Sequence, residues 1–403
     1  MLTTFNSAIN EYISACKNCG QCNLSCPTHL TGLFNPLGLL RDLEMNSESL
    51  EEVLQRHPIF NCIACNRCMV DCPTHSNHSK GEELGMNMAY LVRELRQFAF
   101  KHDISVKGKP EKPGCGTILQ NKSDNETSKK SLSKIGVLHY FKNKPDFKIV
   151  KTGEIAYFID DLPQLQKNYP IISDQIDQIP LAVVKILNHL DIKPVVINLK
   201  GSGHDDLWIG DFDTFKALAE YNVKTYRKAK VKTIVIENDE AYRTWKYDYP
   251  RVIPDFDFEV YHLSEFLLEK NFIKKSIINF PVDVRFTYHD SSKIGRMGGK
   301  IYDAPRFILE SLKGVKLIEM QNNRDYSFDF GCTPYIKITK ETEQMWIDFV
   351  KEVRDTGATY FITTNPKTVA HYNYVISTFF KDKDQDHMPI VKEWAVFLNR
   401  FLR

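Results

Sequence analysis

Eight of the ten cysteines in the chain fall into two short groups with the same spacing. The first group is Cys16, Cys19, Cys22 and Cys26, and the second is Cys62, Cys65, Cys68 and Cys72. Each group follows the pattern C-x2-C-x2-C-x3-C and is followed directly by a proline, Pro27 or Pro73. Thiolates are soft anionic donors that suit iron bound to sulfide. The repeated pattern therefore predicts two [4Fe–4S] clusters.

The spacing also predicts which cysteines share a cluster. In this pattern three closely spaced cysteines bind one cluster, and the fourth binds the other. One cluster is therefore expected on Cys16, Cys19, Cys22 and Cys72, and the other on Cys62, Cys65, Cys68 and Cys26. Structural zinc is the alternative, but zinc sites use pairs of C-x2-C arms with four ligands for one ion. The third cysteine and the proline, both occurring twice, favour iron–sulfur clusters.

Other residues near these motifs could be ligands, but simpler roles are expected. His29 and His75 each follow a Cys-Pro-Thr sequence. Since the cysteines already supply four ligands per cluster, both histidines are predicted to lie at the surface or to support the ligands. Cys115 lies between two glycines without a nearby histidine or second cysteine, which is typical of a free loop thiol.

Composition limits the possible classes of protein. The 53 basic and 51 acidic side chains nearly cancel, which argues against a nucleic-acid binder held by bulk positive charge. No run of about 18 apolar residues occurs, so no transmembrane segment is predicted. The first residues also lack the pattern of a secretory signal. Together with clustered cysteines that a reducing compartment would keep available, these features predict a cytoplasmic protein.

The elements that position the cysteines are predicted to be helical. Ser47 to Gln55 has an apolar stripe with Ser47 as the N-cap, and Glu82 to Phe100 has apolar residues near one face. We therefore expect a helical ferredoxin-like domain over residues 1–100 rather than a small β-containing ferredoxin. Residues 101–134 are rich in Lys, Gly, Pro, Ser and Asn, which predicts a linker.

The remainder of the chain alternates short β-branched runs with amphipathic stretches, which favours α/β units on parallel sheets and an α+β class overall. Predicted strands are Glu154 to Ile159, Pro194 to Leu199, Lys232 to Ile236, Val284 to Tyr288, Val315 to Ile318 and Tyr360 to Thr363. Predicted helices are Ile179 to Leu190, Phe212 to Ala229, Pro305 to Lys313, Glu341 to Thr356 and a last one in Met388 to Leu402. The series occurs twice, which predicts one repeat over 135–280 and another over 281–403.

Both repeats contain segments of a known type. Gly201 to Asp211 has the framework of a C-C-G-H segment ending in W-x-G-D, and Asn238 to Trp245 that of C-x-x-C-Y-x-T-W. The second repeat contains corresponding segments of the same type, namely Tyr288 to Arg296, Asp329 to Gly331 and Asn365 to Thr368. With the cysteine motifs, these segments resemble the heterodisulfide reductase family of "CCG" iron–sulfur subunits, which includes the third subunit of anaerobic glycerol-3-phosphate dehydrogenase. The resemblance covers nearly the whole chain.

The expected C-terminal cysteines are missing. In the family these motifs bind unusual clusters, whereas this chain has Ser202, Asn238, Ser292 and Asn365 at the positions that resemble ligand sites. Only Cys332 lies nearby, and neutral hydroxyl and amide groups are poor ligands for iron–sulfur clusters. We therefore predict that both C-terminal cluster sites are empty.

A neighbouring group of polar residues allows another metal hypothesis. His204, Asp205 and Asp206 have side chains that could bind a hard or borderline metal. A solvated or helix-capping cluster is the interpretation we favour, because the sequence assigns no second group of ligands to them.

The resemblance implies an electron-transfer subunit of a multi-subunit oxidoreductase. Expected partners are a flavoprotein dehydrogenase or heterodisulfide reductase-like subunits, with a quinone, a ferredoxin or a thiol–disulfide couple as the distal acceptor. Any association with a membrane would occur through a partner. Two alternatives remain: a scaffold with structural clusters, and a disulfide reductase acting at the C-terminal domain, against which the missing cysteines count.

Overall fold

The computed structural model describes residues 9–45, 49–77, 83–109, 136–168, 173–273, 283–330, 339–381, 385 and 387–402. Within these ranges the chain forms a cysteine-bearing region that is mostly helical, followed by an α/β region with two parallel sheets. None of the described helices is both long and apolar enough to span a membrane. Most of the predicted linker and the predicted break near Phe280 lie outside the described residues.

Among the described residues, the cysteine-bearing region contains six α-helices, two short 3-10 helices (Ile59–Asn61 and Arg67–Met69) and one small ribbon. The helices are α1 (residues 9–14), α2 (Gln21–Ser25), α3 (Pro27–Leu30), α4 (Pro36–Met45), α5 (Leu50–Arg56) and α6 (Met88–Lys101). The ribbon pairs β1 (His75–Asn77) with β2 (Glu83–Gly85) in antiparallel fashion. The prediction of a helical region is therefore right in the main but misses this ribbon.

Two predicted helix starts in this region are wrong. Ser47 lies outside the described residues, and α5 is capped by Ser49, whose hydroxyl accepts from the backbone N–H of Glu52 in a reciprocal capping box. Helix α6 begins at Met88 instead of Glu82, because the Asn87 side chain accepts from the N–H of Tyr90 at 3.1 Å and fixes the start there. The apolar pattern indicates the helix but not its first turn.

The first sheet of the α/β region has the order β3-β4-β5, with all strands parallel. Its strands are β3 (Ile155–Tyr157), β4 (Thr233–Ile236) and β5 (Glu259–His262). Its helices are α7 (Leu162–Asn168), α8 (Ser173–His189), α9 (His204–Ile209), α10 (Phe212–Lys228), α11 (Asp239–Arg243) and α12 (Leu263–Glu269). Strand β5 was not among the predicted strands.

The second sheet has the order β7-β6-β8-β9, again with all strands parallel. Its strands are β6 (Val284–Tyr288), β7 (Val315–Leu317), β8 (Tyr360–Thr363) and β9 (Ile390–Glu393). Its helices are α13 (Asp303–Glu310), α14 (Lys340–Asp355), α15 (Pro366–Phe379) and α16 (Trp394–Asn399). The predicted strands and helices of this part are present, except at the C-terminal end.

Two predicted elements of the α/β region are wrong. The stretch Pro194 to Leu199 forms only isolated bridges through Val195, because beyond Val196 the backbone leaves the sheet and Lys200 N–H donates to the Asn222 side chain at 3.0 Å. The predicted helix in Met388 to Leu402 is instead β9 followed by α16. The carboxylate of Glu393 accepts from the N–H of Val396 at 2.9 Å, and this cap separates strand from helix.

The two sheets share one topology when the Val195 bridge is counted as an edge. The order Val195, β3, β4, β5 in the first corresponds to β7, β6, β8, β9 in the second. The cysteine-bearing region packs on this framework, since one continuous apolar core contains Cys26, Cys62 and Cys68 together with Trp208 and Ile294. Loops at the carboxyl ends of the strands can therefore meet the cysteine motifs.

Candidate metal centres

The predicted second group of thiols surrounds one enclosed cavity. Cys26, Cys62, Cys65 and Cys68 all line it, and each of the four is buried. Burial raises the pKa of Cys26 to about 12, and the next largest cause is the thiol of Cys62. Cys26 therefore lies with the second motif although it belongs to the first in sequence.

The predicted first group of thiols also comes together, nearer to solvent. The pKa of Cys22 is raised to about 11, mainly by burial and in addition by the neighbouring thiols of Cys16, Cys72 and Cys19. Cys19 is exposed and Cys16 and Cys72 are half-buried, in contrast to the four buried thiols of the second group. The two groups thus differ in their access to solvent.

Backbone conformation shapes both motifs in the same way. Asn18 and Ala64 occupy the same place in their motifs and have φ of 53° and 50°, and Gly20 and Asn66 are likewise positive at 81° and 58°. Such left-handed residues turn backbone N–H groups toward a common point, where they favour anions. Accordingly Asn18 N–H donates to the Cys16 Sγ at 3.3 Å. The loops are thus shaped to face negatively charged sulfur.

The residues that follow the fourth cysteine of each motif also correspond. The hydroxyl of Thr28 lies 3.2 Å from the Cys26 Sγ, and that of Thr74 lies 3.5 Å from the Cys72 Sγ. His29 and His75 hold backbone carbonyls through Nδ1, at 3.0 Å from Phe34 O and 2.8 Å from Met86 O. These contacts agree with the predicted supporting role of the histidines.

The donor sets fit the predicted cofactors. Each group offers four thiols, the ligand type and number that a [4Fe–4S] cluster requires. The apolar surroundings of the second group, which include Phe34 and Met88, would exclude water from a cluster there. Cys115 and Cys332 lie outside the described residues.

The serines at the predicted empty sites are held by carboxylates. Ser202 donates through its N–H and hydroxyl to Asp160, at 2.7 and 2.8 Å. Ser292 donates to Asp329 in the same two ways, the N–H at 2.9 Å. The acid comes from the loop after β3 in the first case and the loop after β7 in the second. Both sites therefore contain a Ser–Asp pair, but the loop that carries the serine in one site corresponds to the loop that carries the aspartate in the other.

The asparagines at the predicted empty sites are helix caps. The Asn238 side chain accepts from the N–H of Ala241 at 3.1 Å and starts α11. The Asn365 side chain accepts from the N–H of Thr368 at 3.1 Å and starts α15, while its amide donates to Asp239 at 2.8 Å. The side-chain oxygens of both asparagines thus accept hydrogen bonds within the protein.

A lysine lies at the place that the sequence suggested as a possible metal site. His204, Asp205 and Glu240 place one ligand atom each within 4.8 Å of one another, with Glu240 in the place where Asp206 was expected. The Lys367 Nζ donates to Asp205 at 2.9 Å and to Glu240 at 2.7 Å. Burial alone would lower the pKa of Lys367, but the two carboxylates outweigh it and hold that pKa well above its usual range. The cation between these acids is the protein's own.

Sequence patterns did not identify a further set of acids at the carboxyl ends of the parallel strands, of which Asp160 and Asp161 interact with Lys367. Burial raises the pKa of Asp160, Asp161 and Asp239, and raises that of Glu237 to about 8 and that of Glu393 to about 7. The adjacent pair Asp160 and Asp161 directly after a buried strand was the one available signal, because carboxyl ends of parallel strands collect functional groups.

The raised pKa of Glu237 leads to a pH-dependent stability. The folded protein keeps this proton up to about pH 8, while the unfolded chain releases it near its ordinary value of 4.5. Between about pH 4.5 and about pH 8 the folded state therefore binds more protons than the unfolded state. The free energy of unfolding contributed by Glu237 decreases as pH rises through this range. We expect Glu237→Gln to reduce the decrease in thermal midpoint between pH 6 and pH 8. Glu154→Gln, at an exposed carboxylate, is the control and should leave the decrease unchanged. An unaltered pH profile for Glu237→Gln would contradict the assignment.

Comparison with known proteins agrees with the thiol geometry. A family model described as a 4Fe-4S dicluster domain matches residues 11–76. The chain is 35% identical over 159 residues to the probable iron-sulfur-binding oxidoreductase FadF of Bacillus subtilis, covering 38% of this chain and 22% of that protein. It is 27% identical over 205 residues to a subunit of the dihydromethanophenazine:CoB--CoM heterodisulfide reductase of Methanosarcina barkeri, covering 48% of this chain and 46% of that protein.

A third relative has a similar relation to the chain. The EtfAB:quinone oxidoreductase of Syntrophomonas wolfei is 26% identical over 200 residues, covering 49% of this chain and 27% of that protein. The chain therefore spans less than half the length of each of these relatives. The dicluster domain and its eight cysteines imply two [4Fe–4S] clusters. The chain is an iron–sulfur protein distantly homologous to subunits of oxidoreductases.

Proposed function

We propose that the protein is an electron-transfer subunit of a multi-subunit oxidoreductase and carries out no substrate chemistry itself. The observation that carries the proposal is the placement of the two thiol groups, one beside solvent and one buried against the α/β region. Each bound cluster would accept and pass on one electron. The chain would thus provide a relay between an outer partner and a partner bound near the α/β region.

The ligand assignment is part of this proposal. Cys16, Cys19, Cys22 and Cys72 would hold the outer cluster, and Cys26, Cys62, Cys65 and Cys68 the inner one. Because one thiol of each set comes from the other motif, the clusters would lock the two halves together. The hydroxyls of Thr28 and Thr74 lie within hydrogen-bonding range of the crossing cysteines and would orient them.

Both C-terminal cluster sites are proposed to be empty. The serines there are engaged by Asp160 and Asp329, and the asparagines cap helices. Lys367 adds a positive charge between Asp205 and Glu240, where a further cation would be repelled. The chemistry would therefore take place on another subunit, as in a reductase or flavoprotein dehydrogenase assembly whose acceptor is a quinone, a ferredoxin or a thiol–disulfide couple.

Metal analysis with EPR spectroscopy on protein prepared without oxygen tests the proposal. We expect about eight irons per chain and signals from two clusters after reduction with dithionite. Markedly more iron would mean that the C-terminal sites are occupied. Clusters that dithionite cannot reduce would favour a scaffold, and turnover of a disulfide with an artificial donor would favour a disulfide reductase. Either result would overturn the proposed relay.

A further inference from the structure

A buried lysine from the α/β region lies directly beside the inner thiol group. Lys293 is 4% exposed, and its Nζ donates to the backbone carbonyl of Ala64 at 3.0 Å, between Cys62 and Cys65. The Met297 sulfur lies 4.0 Å from this Nζ, and the centroid of the Trp208 ring lies 4.9 Å from it. In the part of the chain that the structure describes, Lys293 forms no ion pair. A buried unpaired charge is costly, so this ammonium needs a counter-charge.

Two arginines hold the same loop. The Arg296 Nε donates to the carbonyl of Cys65 at 2.5 Å, and the Arg96 Nη2 donates to that of Cys62 at 2.6 Å. Both side chains are buried, at 4% and 0% exposure. The Arg296 charge is partly balanced by Asp329, whose Oδ1 lies 3.7 Å away. Lys293 is therefore one of three buried cationic side chains at this loop, and the Cys62 thiol interacts with both Arg96 and Lys293.

The outer thiol group has a carboxylate near it. Burial is the main cause that raises the pKa of Cys16, and the carboxylate of Glu44, which accepts from the Asn18 amide at 2.7 Å, raises it as well. Solvent at Cys19 would stabilise added negative charge there. Burial at the inner group removes that help and by itself opposes reduction, unless nearby cations replace it.

We propose that Lys293 is a tuning residue that raises the reduction potential of the inner cluster. This inference rests on the proposed function, in which Cys26, Cys62, Cys65 and Cys68 bind a [4Fe–4S] cluster. Four thiolates around such a cluster form an anion, which is the counter-charge that Lys293 lacks, and reduction adds one more negative charge. In a low-dielectric site the ammonium favours the reduced form more than the oxidised form. The inner cluster can then be reduced even though its burial opposes the added negative charge.

EPR-monitored redox titration of the full chain, prepared without oxygen, tests the inference. One electron from dithionite converts [4Fe–4S]²⁺ to [4Fe–4S]⁺, and no bond or proton changes. In Lys293→Met we expect the equilibrium constant for reduction of one cluster to fall at least tenfold, which is about 59 mV for a one-electron couple. The other cluster should keep its potential. Lys293→Arg should restore most of the difference because it restores the charge.

Lys300→Met is the matched control, since Lys300 lies nearby in sequence, is half-exposed and pairs with Asp325 at 3.5 Å. It should change neither potential. If Lys293→Met does not retain two clusters, Lys293→Gln is measured against the same criterion. Two unchanged potentials, or an equal shift of both, would overturn the tuning role while leaving the relay intact. Failure of the relay itself would be seen earlier, as wild-type protein whose clusters are not reduced.

Discussion

Replacing Cys26 by alanine should remove the cluster of the second motif and leave the cluster of the first. Cys26 lines the same cavity as Cys62, Cys65 and Cys68, although it follows Cys22 by only four positions in the sequence. Loss of one of the four thiolate ligands would leave this cluster incompletely ligated. We expect the iron content to fall from about eight to about four per chain, measured by metal analysis with sulfide determination.

Double variants distinguish crossed from uncrossed ligation. If Cys26 and Cys68 bind the same cluster, Cys26→Ala with Cys68→Ala should retain about four irons, no fewer than either single variant. Cys26→Ala with Cys16→Ala should lose both clusters. Cys115→Ala is a control that should keep the full iron content. Loss of all iron from the Cys26 and Cys68 double variant would show that the fourth cysteine stays with its own motif.

The thiol groups could be predicted because their chemistry is local in sequence. Three cysteines within a few residues must lie close together in any fold, and the motif itself indicates where the fourth belongs. The sheets were also largely predictable, since strands such as β6 and β8 are short runs rich in β-branched and aromatic residues. The predicted starts of helices were wrong where a single capping side chain determines the first residue, as Asn87 does at α6 and Glu393 does at α16.

The residues that decide the electrostatics could not be predicted in the same way. Lys293 reaches Ala64 across 229 positions of sequence, and Lys367 reaches Glu240 across 127. Nothing local marks either lysine as buried, because lysine is usually exposed. The resemblance indicated which ligands were missing at Ser202 and Ser292, but not that Asp160 and Asp329 would hold these hydroxyls. Such pairings depend on how two sheets and the cysteine-bearing region meet.

Replacing Lys367 by methionine should cause a large loss of stability, because Lys367 neutralises two acids between the sheets. Lys367 and Glu240 occupy equivalent positions, each two residues after the capping asparagine of its helix, Asn365 for α15 and Asn238 for α11. Removing one partner of a buried ion pair leaves an uncompensated charge and costs about 3–5 kcal/mol. We expect a loss of this order in Lys367→Met, measured from urea unfolding midpoints.

The comparison with an exposed pair separates this effect from the general effect of losing a lysine. Lys351 lies 3.4 Å from Asp348 with both side chains well exposed, so Lys351→Met should change stability by less than about 1 kcal/mol. Adding Glu240→Gln to Lys367→Met should recover part of the loss, because the amide removes one of the two unpaired charges. Similar stability of Lys367→Met and wild type would mean that the acids share protons and do not depend on the ammonium. Partial recovery in the double variant would instead identify Lys367 as the cation that neutralises Asp205 and Glu240 between the sheets.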